Sequence, residues 1–396
     1  RLSEMNHQEF CGKNKEASKI FYDLSTKYYK KSWEFFGFKN FIQAEKNVTD
    51  FKERVLPEQK KPLRAEKLLK NHNIQIVIES KITAVGEDKI GSFLLVEFSN
   101  TFKEKIYFKK IILANGGLHS SLLLKNSFEK GFLKSDKSKI ISKNYMNHPK
   151  ITFYNFFTSI PSFSPFVLRD KNDSNFYGYS LSDDLQKKYG LKNTYFTFHP
   201  ISKDEHTKEF ICAANIYFNK FNALKIFAKY LKDYGFNLFS ILKIIFHIGC
   251  RVGLFKDKIK NYDLEYFCEM APNTKNKIFV DRGSLNSEVN FSEKDYINLE
   301  ILHQKLVSEL SDNVADQYKT INFRDKVFQD SSHHIGGIPM SENLDDSVID
   351  KNLRVVDSES IFLCSSSVFQ YSGSSNPTLT IVALGLRLAD HLKKIN

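Results

Sequence analysis

Two adjacent imidazoles, His333 and His334, precede a glycine pair, Gly336 and Gly337, in the stretch SSHHIGGIPMS. A tight turn needs the glycines but has no use for two imidazoles. An active site needs both, a base and a backbone that can come close to a ligand. Further along, YSGSSNP runs into the apolar stretch TLTIVALGLRLADHLKK. A long helix is expected there, with Pro377 in its first turn and Asn376 at its N-cap. The free N–H groups and positive dipole end of that helix favour a ligand that is, or becomes, anionic. An imidazole beside an amide suits the oxidation of an alcohol. The imidazole removes the hydroxyl proton while the amide holds the oxygen. The departing hydride needs an acceptor that no side chain provides, so a cofactor is required.

Taken singly, each of these residues has a plainer use. His333 serves as a turn or core histidine, Asn376 as a helix cap, and Gly336, Gly337 and Gly373 as turn formers. Gly116 and Gly117 serve as a strand-to-helix connection, and Asp350 as a turn cap. Their joint arrangement is what points to chemistry.

The composition narrows the class. The chain has 396 residues, 41% hydrophobic and 26% charged, which is ordinary globular composition with room for two domains. Its 58 basic and 46 acidic residues leave a net charge of +12, but the lysines are dispersed rather than gathered in a block. No nucleic-acid partner is expected on that pattern. The five cysteines are scattered without a C-x-x-C pair, so neither a disulfide framework nor a metal site is implied. A reducing compartment, the cytoplasm, is the expected location. No signal-peptide pattern and no uncharged apolar run of spanning length is present. The nearest candidate, Phe236 to Phe255, places Lys243, His247 and Arg251 on one helical face. That makes it an amphipathic helix that packs on its own domain, with a membrane-surface or lid role as the alternative. Membrane association is not expected.

Several elements must position the chemistry. Residues 1 to about 72 read as irregular and helical pieces. IQIVIESKITAV, SFLLVEFSN and EKIYFKKIILANGG then read as three β-rich runs. The third ends at Asn115-Gly116-Gly117 before a short helix, which is how α/β folds bring backbone close to a ligand. From about Lys150 to Asp330, the runs KITFYNFF, TYFTFHPIS, FICAANIYF, DLEYFCEMA and KIFVDR read as antiparallel strands. Helices interrupt them near 220–255 and 293–312. The last part returns to α/β character, with a strand pair around VIDKNLRVVD and IFLCSSSVF before the final helix.

From the histidine-glycine turn ending at Met340, through SVID ending at Asp350, to NPTLT, the C-terminal segment resembles the glucose-methanol-choline (GMC) oxidoreductases. Weaker resemblances lie in IILANGGLHSSLLLKNS, in KNYMNHP and in EMAPNTKNKIFV. Asn147 in the second of these stands where the family usually has an acid, and Ser365 and Ser366 stand where an acid and a small residue are common. The resemblance implies an FAD-dependent oxidoreductase of α/β plus α+β class. It has an FAD-binding domain with an inserted substrate domain built on an antiparallel sheet. The expected division is 1–148 and 326–396 for the FAD-binding part and 149–325 for the substrate part. The reaction implied is oxidation of a CH–OH group of a sugar, polyol or alcohol by hydride transfer to flavin N5. His333 is implied as the base and Asn376 as the second catalytic residue. Cofactor contacts are implied at Asn115, Gly116, Gly117, His148, Ser365, Ser366, Pro377 and Thr378. The electron acceptor stays open. The family's G-x-G-x-x-G turn for the FAD pyrophosphate is nowhere in the sequence, which starts at Arg1. A chain that lacks its N-terminal dinucleotide-binding segment is the expectation. The alternative is a non-catalytic, FAD-free remnant that binds a small polyol or a protein.

Overall fold

A computed structural model describes residues 4–5, 10, 15–39, 41, 45–57, 73–98, 102–157, 175–199, 212–213, 215–216, 222–251, 262–282, 284–310, 313–340 and 344–395. The first helix bounded within the described residues is α1 (Lys15–Asp23), followed by a π-helical turn (Leu24–Tyr28) and α2 (Tyr29–Phe35). Ala17, Ile20, Leu24 and Tyr28 recur at helical spacing, and all are buried. Strands β1 (Glu45–Val48) and β2 (Phe51–Pro57) follow as an antiparallel pair. Next comes a three-stranded antiparallel sheet of β3 (Lys81–Glu87), β4 (Ser92–Glu97) and β5 (Lys103–Phe108). Strand β6 (Ile111–Leu113) leads into helix α3 (Gly116–Glu129).

The middle of the chain builds the second layer. Strands β7 (Lys150–Phe157), β8 (Asn175–Leu181), β9 (Tyr195–His199) and β10 (Tyr262–Phe267) join β1 and β2 in a six-stranded sheet of order β1-β2-β8-β9-β10-β7. Helix α4 (Asp183–Tyr189) links β8 to β9, and α5 (Ala223–Tyr234) and α6 (Leu238–Arg251) precede β10. A hairpin of β11 (Lys277–Asp281) and β12 (Ser284–Glu288) precedes α7 (Glu293–Leu310). Leu299, Leu302, Leu306 and Leu310 form the stripe by which α7 packs against Phe153, Phe196, Leu264 and Tyr266 of the sheet. The strands alternate, so the other sheet face carries Arg54, Thr197, His199, Asp263 and Glu265, all buried.

Strand β13 (Ile361–Leu363) pairs in parallel with β6, and α8 (Thr378–Leu392) closes the chain. The N-terminal helices clamp α8. Tyr29 Oη lies 3.1 Å from Thr380 Oγ1, and Arg387 Nε donates to Asp23 at 2.8 Å. The mixed α/β class and the antiparallel second sheet agree with expectation.

Several expectations need correction. Strand β2 pairs with β8 through Phe51↔Leu181 to Pro57↔Asn175 and β1 pairs with β2, so residues 45–57 extend the six-stranded sheet, although they fall within the expected 1–148 part. EKIYFKKIILANGG is two strands in different sheets, because β6 leaves β5 to find β13. VIDKNLRVVD forms only isolated bridges, such as Ile349↔Val355, and no strand. Within FICAANIYF, Cys212, Ala213, Asn215 and Ile216 are helical, and the rest lies outside the described residues. Strand propensity measures fit to a pleated surface, and these runs find no such surface. The helix expected over 236–255 is α6, and the side chains of His247 and Arg251 lie outside the described residues.

Candidate active site

The loop before the glycine pair is pinned at its base. Asp330 Oδ1 accepts from Ser332 N at 2.7 Å and from Asn147 Nδ2 at 2.5 Å. Asn147 in turn accepts from His148 N at 2.7 Å. An acid at position 147 would set a carboxylate against Asp330, whereas the amide donates to it. The departure at Asn147 thus has a local electrostatic reason.

His333 then faces His148. Their Nδ1 atoms are 3.1 Å apart, and the rings meet edge to face with centroids 5.1 Å apart. On the other side of His148, Nε2 lies 2.8 Å from the Ser372 carbonyl. A carbonyl only accepts, so His148 Nε2 carries a proton and donates it. Burial favours neutral rings, and a neutral His148 then offers its Nδ1 lone pair to the Nδ1–H of His333. His333 is left with an unprotonated Nε2, which is the atom of a base. Burial, followed by the like charge that His148 carries once acid protonates it, pushes the His333 pKa down to about 3, so the ring is in its basic form at neutral pH.

His334 points elsewhere. Its Nδ1 lies 2.5 Å from Tyr145 Oη, and its carbonyl accepts from Ser366 Oγ at 2.5 Å. Burial lowers its pKa, opposed by Asp330, while burial and the same carboxylate push the Tyr145 hydroxyl up to about 12. His334 is therefore a strut for the loop.

The serine turn before α8 is held from three directions. Ser372 Oγ accepts from Met270 N at 2.9 Å, which ties the turn to the end of β10. Arg54 Nη1, from β2, donates to Ser375 Oγ at 3.2 Å and to Ser374 Oγ at 3.4 Å. Ser375 Oγ donates to the Glu4 carbonyl at 2.7 Å. Helix α8 is capped by Pro377, whose carbonyl accepts from Ile381 N at 2.9 Å, so Asn376, expected as the N-cap, lies one residue before it. Proline already has the helical φ of −70° there, which moves the helix start forward.

The remaining expected cofactor contacts divide. Gly117 is packed under the loop, and a Cβ there would come within 2.5 Å of the His334 carbonyl oxygen. Ser366 braces the same carbonyl, while Ser365 Oγ caps the short turn after β13 by accepting from Ser367 N at 3.0 Å. Asn115 and Gly116 are exposed, with Asn115 Oδ1 accepting from Ser120 Oγ at 2.8 Å. Both ring nitrogens of His148 are committed to protein atoms, so it stands behind His333 and its nitrogens do not face outward. Thr378 is exposed at the head of α8. On the far side of the glycine turn, Asn144, Met146, Gly336, Gly337, Phe369 and Tyr371 line a cavity of about 270 Å³.

Sequence reasoning missed Arg54, Asp330 and the positioning role of His148. The stretch KNYMNHP held the signal for His148. Nothing near Arg54 announces a partner 320 residues away.

The comparisons with known proteins agree with this architecture. The family model of GMC oxidoreductases matches residues 290–385, which include the histidine turn, β13 and most of α8. Over this C-terminal segment, the chain is similar to the GMC oxidoreductases. It is also similar to the fructose dehydrogenase large subunit of Gluconobacter japonicus, 43% identical over 63 residues, which are 16% of this chain and 12% of that one. The pyridoxine 4-oxidase of Mesorbium loti shares the fold, with a TM-score of 0.52 at 12% identity over 85% of this chain and 64% of that one. An FAD-dependent oxidoreductase from Chaetomium thermophilum aligns at a TM-score of 0.47 and 13% identity, covering 83% of this chain and 63% of that one. The chain thus spans less than two thirds of the length of each of these relatives.

The family implies FAD, and the residues present suit one end of it. The His333 lone pair and the amide-bearing head of α8 offer a base, a polar side chain and a positive dipole end to a ring that gains negative charge on reduction. The dinucleotide end finds no comparable cradle among the described residues. The parallel pair β6–β13 has two strands, the Gly117 turn is filled by His334, and the cavity falls below the roughly 300–1,000 Å³ usual for ligand sites.

Proposed function

We propose that this chain carries the substrate-activating half of an FAD-dependent oxidoreductase acting on a CH–OH group of a sugar, polyol or alcohol. The observation that supports this most directly is the chain of contacts from the Ser372 carbonyl through His148 to His333, which leaves His333 Nε2 as a free base. His333 Nε2 takes the hydroxyl proton. The Asn376 amide donates to the alcohol oxygen and orients the carbon. Pro377, Thr378 and the head of α8 would hold the ring end of FAD, with the Gly116–Gly117 turn, Ser365 and Ser366 bracing the loop beneath it. When bound, FAD supplies the two-electron acceptor that the side chains lack. The polar sheet face with Arg54, Thr197, His199 and Glu265 lies on the side of the serine turn and suits a hydroxylated substrate better than an apolar one.

The test is an absorption spectrum of the flavin-loaded protein, before and after addition of a panel of sugars and alcohols. Bleaching of the flavin band by one of them is expected. In His333→Ala, that bleaching should slow by about 10²–10⁴-fold, the usual worth of a positioned base. Flavin reduction at the wild-type rate in this variant would refute the role of His333. A protein that stays colourless with added FAD would leave the non-catalytic alternative standing.

A further inference from the structure

Helices α5 and α6 form a hairpin whose turn is tightly specified. Gly235 has φ +76°, and Asn237 Oδ1 accepts from Phe239 N at 3.0 Å and from Ser240 N at 3.3 Å. One face of α6 goes inward, with Ile244 at 1% exposure and Ile248 packed against Tyr230 and its neighbours. The opposite face is also apolar, and it is bare. Leu238 is 62% exposed, Phe239 68%, Leu242 55%, Ile245 53% and Phe246 44%. Their spacing of i, i+1, i+4, i+7 and i+8 makes one continuous stripe, and Phe236 in the turn extends it. Single exposed apolar residues are ordinary, but a contiguous stripe of this kind marks an interaction surface.

The charge pattern identifies the partner. Lys225, Lys229 and Lys232 recur at i, i+4 and i+7 on α5, and all three are exposed. Lys243 Nζ sits over the Phe239 ring, 5.0 Å from its centroid, so a cation lies beside the apolar stripe. Residues 222–251 carry four lysines and one arginine against a single acid, Asp233. A protein partner with a complementary apolar groove would have to be acidic as well. An anionic bilayer supplies both properties over any area. The 14 residues of α6 span about 21 Å at about 1.5 Å per residue, shorter than a hydrocarbon core of about 30 Å. No helix among the described residues is long and apolar enough to cross a membrane. Such a helix lies in the interface, with its apolar face in the acyl boundary and its lysines among the headgroups.

We infer that the α5–α6 hairpin is a membrane-surface anchor that lays the bare face of α6 onto an anionic lipid bilayer. This inference does not depend on the redox reading. The structure also departs here from the expectation that this segment packs only on its own domain.

The experiment is co-sedimentation of the full chain with vesicles of phosphatidylglycerol, compared with vesicles of phosphatidylcholine. Strong binding to the former and weak binding to the latter is expected. Charge removal in Lys225→Gln, Lys229→Gln and Lys232→Gln together should weaken it by about a hundredfold, from about a factor of five per cation. A basic chain also adsorbs non-specifically, so the decisive variant keeps every charge. Phe239→Ser with Leu242→Ser and Phe246→Ser should lose most of the binding and keep the wild-type circular dichroism spectrum. Undiminished binding by that variant would overturn the proposal in favour of bulk electrostatic adsorption. Failure of the wild type to bind either vesicle, with a dimer that this variant converts to monomer, would overturn it in favour of a second copy of the chain.

Discussion

His148→Phe separates a positioned base from a histidine that merely sits in a loop. Phenylalanine keeps the ring and most of the volume but removes both nitrogens. His333 then loses the acceptor for its Nδ1–H, a contact of 3.1 Å, and the Ser372 carbonyl loses its 2.8 Å donor. A buried donor left without a partner costs about 1–3 kcal/mol. Paid as lost preference for the Nδ1–H tautomer and its orientation, that sum is about a 5- to 150-fold slower proton removal, at about 1.4 kcal/mol per tenfold. Two readouts report it. Stopped-flow absorbance follows substrate-driven reduction in the flavin-loaded protein. Imidazole ¹⁵N chemical shifts report the tautomers directly and need no flavin. The wild type should show His333 protonated at Nδ1 and His148 at Nε2. His148→Phe should depopulate the first of these and slow reduction. His148→Gln should restore part of both, because its amide can accept from His333 and donate to the carbonyl. A wild-type His333 protonated at Nε2, or an unchanged reduction rate in His148→Phe, would refute the reasoning.

Acid should destabilise the fold through the same ring. The unfolded chain protonates His333 near pH 6.5, whereas the folded protein holds it neutral down to about 3, chiefly through burial. Stability is therefore intact above about pH 6.5 and falls as pH drops towards 3, by at most about 1.4 kcal/mol per pH unit from this group. His333→Phe should flatten the dependence of the urea midpoint on pH by about one proton, and an unchanged slope would count against the buried neutral ring. The acid limb of kcat/KM should likewise lie well below pH 6.5. Gly117→Ala would press a Cβ to 2.5 Å from the His334 carbonyl oxygen, and its denaturation midpoint should report a loss of about 1–3 kcal/mol. If Gly117→Ala were as stable as the wild type, the close packing of α3 under the histidine loop would be wrong.

Local chemistry made some of the site legible in the sequence. Two imidazoles against a glycine pair ask for more than a tight turn, although one of them, His334, serves as a strut, and NPT before an apolar stretch announces a helix head. Helical stripes such as Leu299, Leu302, Leu306 and Leu310 can be read from period alone, because the burial of one helix face is written at every third or fourth residue. Short strands were less legible. The EKIYFKKIILANGG run looks continuous, yet β5 and β6 belong to different sheets, since only a distant partner decides where a strand ends. The same is true of β2, which pairs with the distant β8 and carries β1 with it at the sheet edge.

By itself, the sequence determined the residue types at the loop and at the head of α8, and the family that its C-terminal segment resembles. The resemblance already pointed to His333, and the tertiary structure alone supplied the partners that set the protons on its ring. His148 and His333 are 185 residues apart, and only the fold sets the first between the second and the Ser372 carbonyl, where hydrogen-bond direction assigns the protons. The structure also left the α6 stripe bare, although its apolar period in the sequence reads the same whether a face meets its own core or another surface. Period records that a face avoids water, and tertiary packing alone settles what covers it.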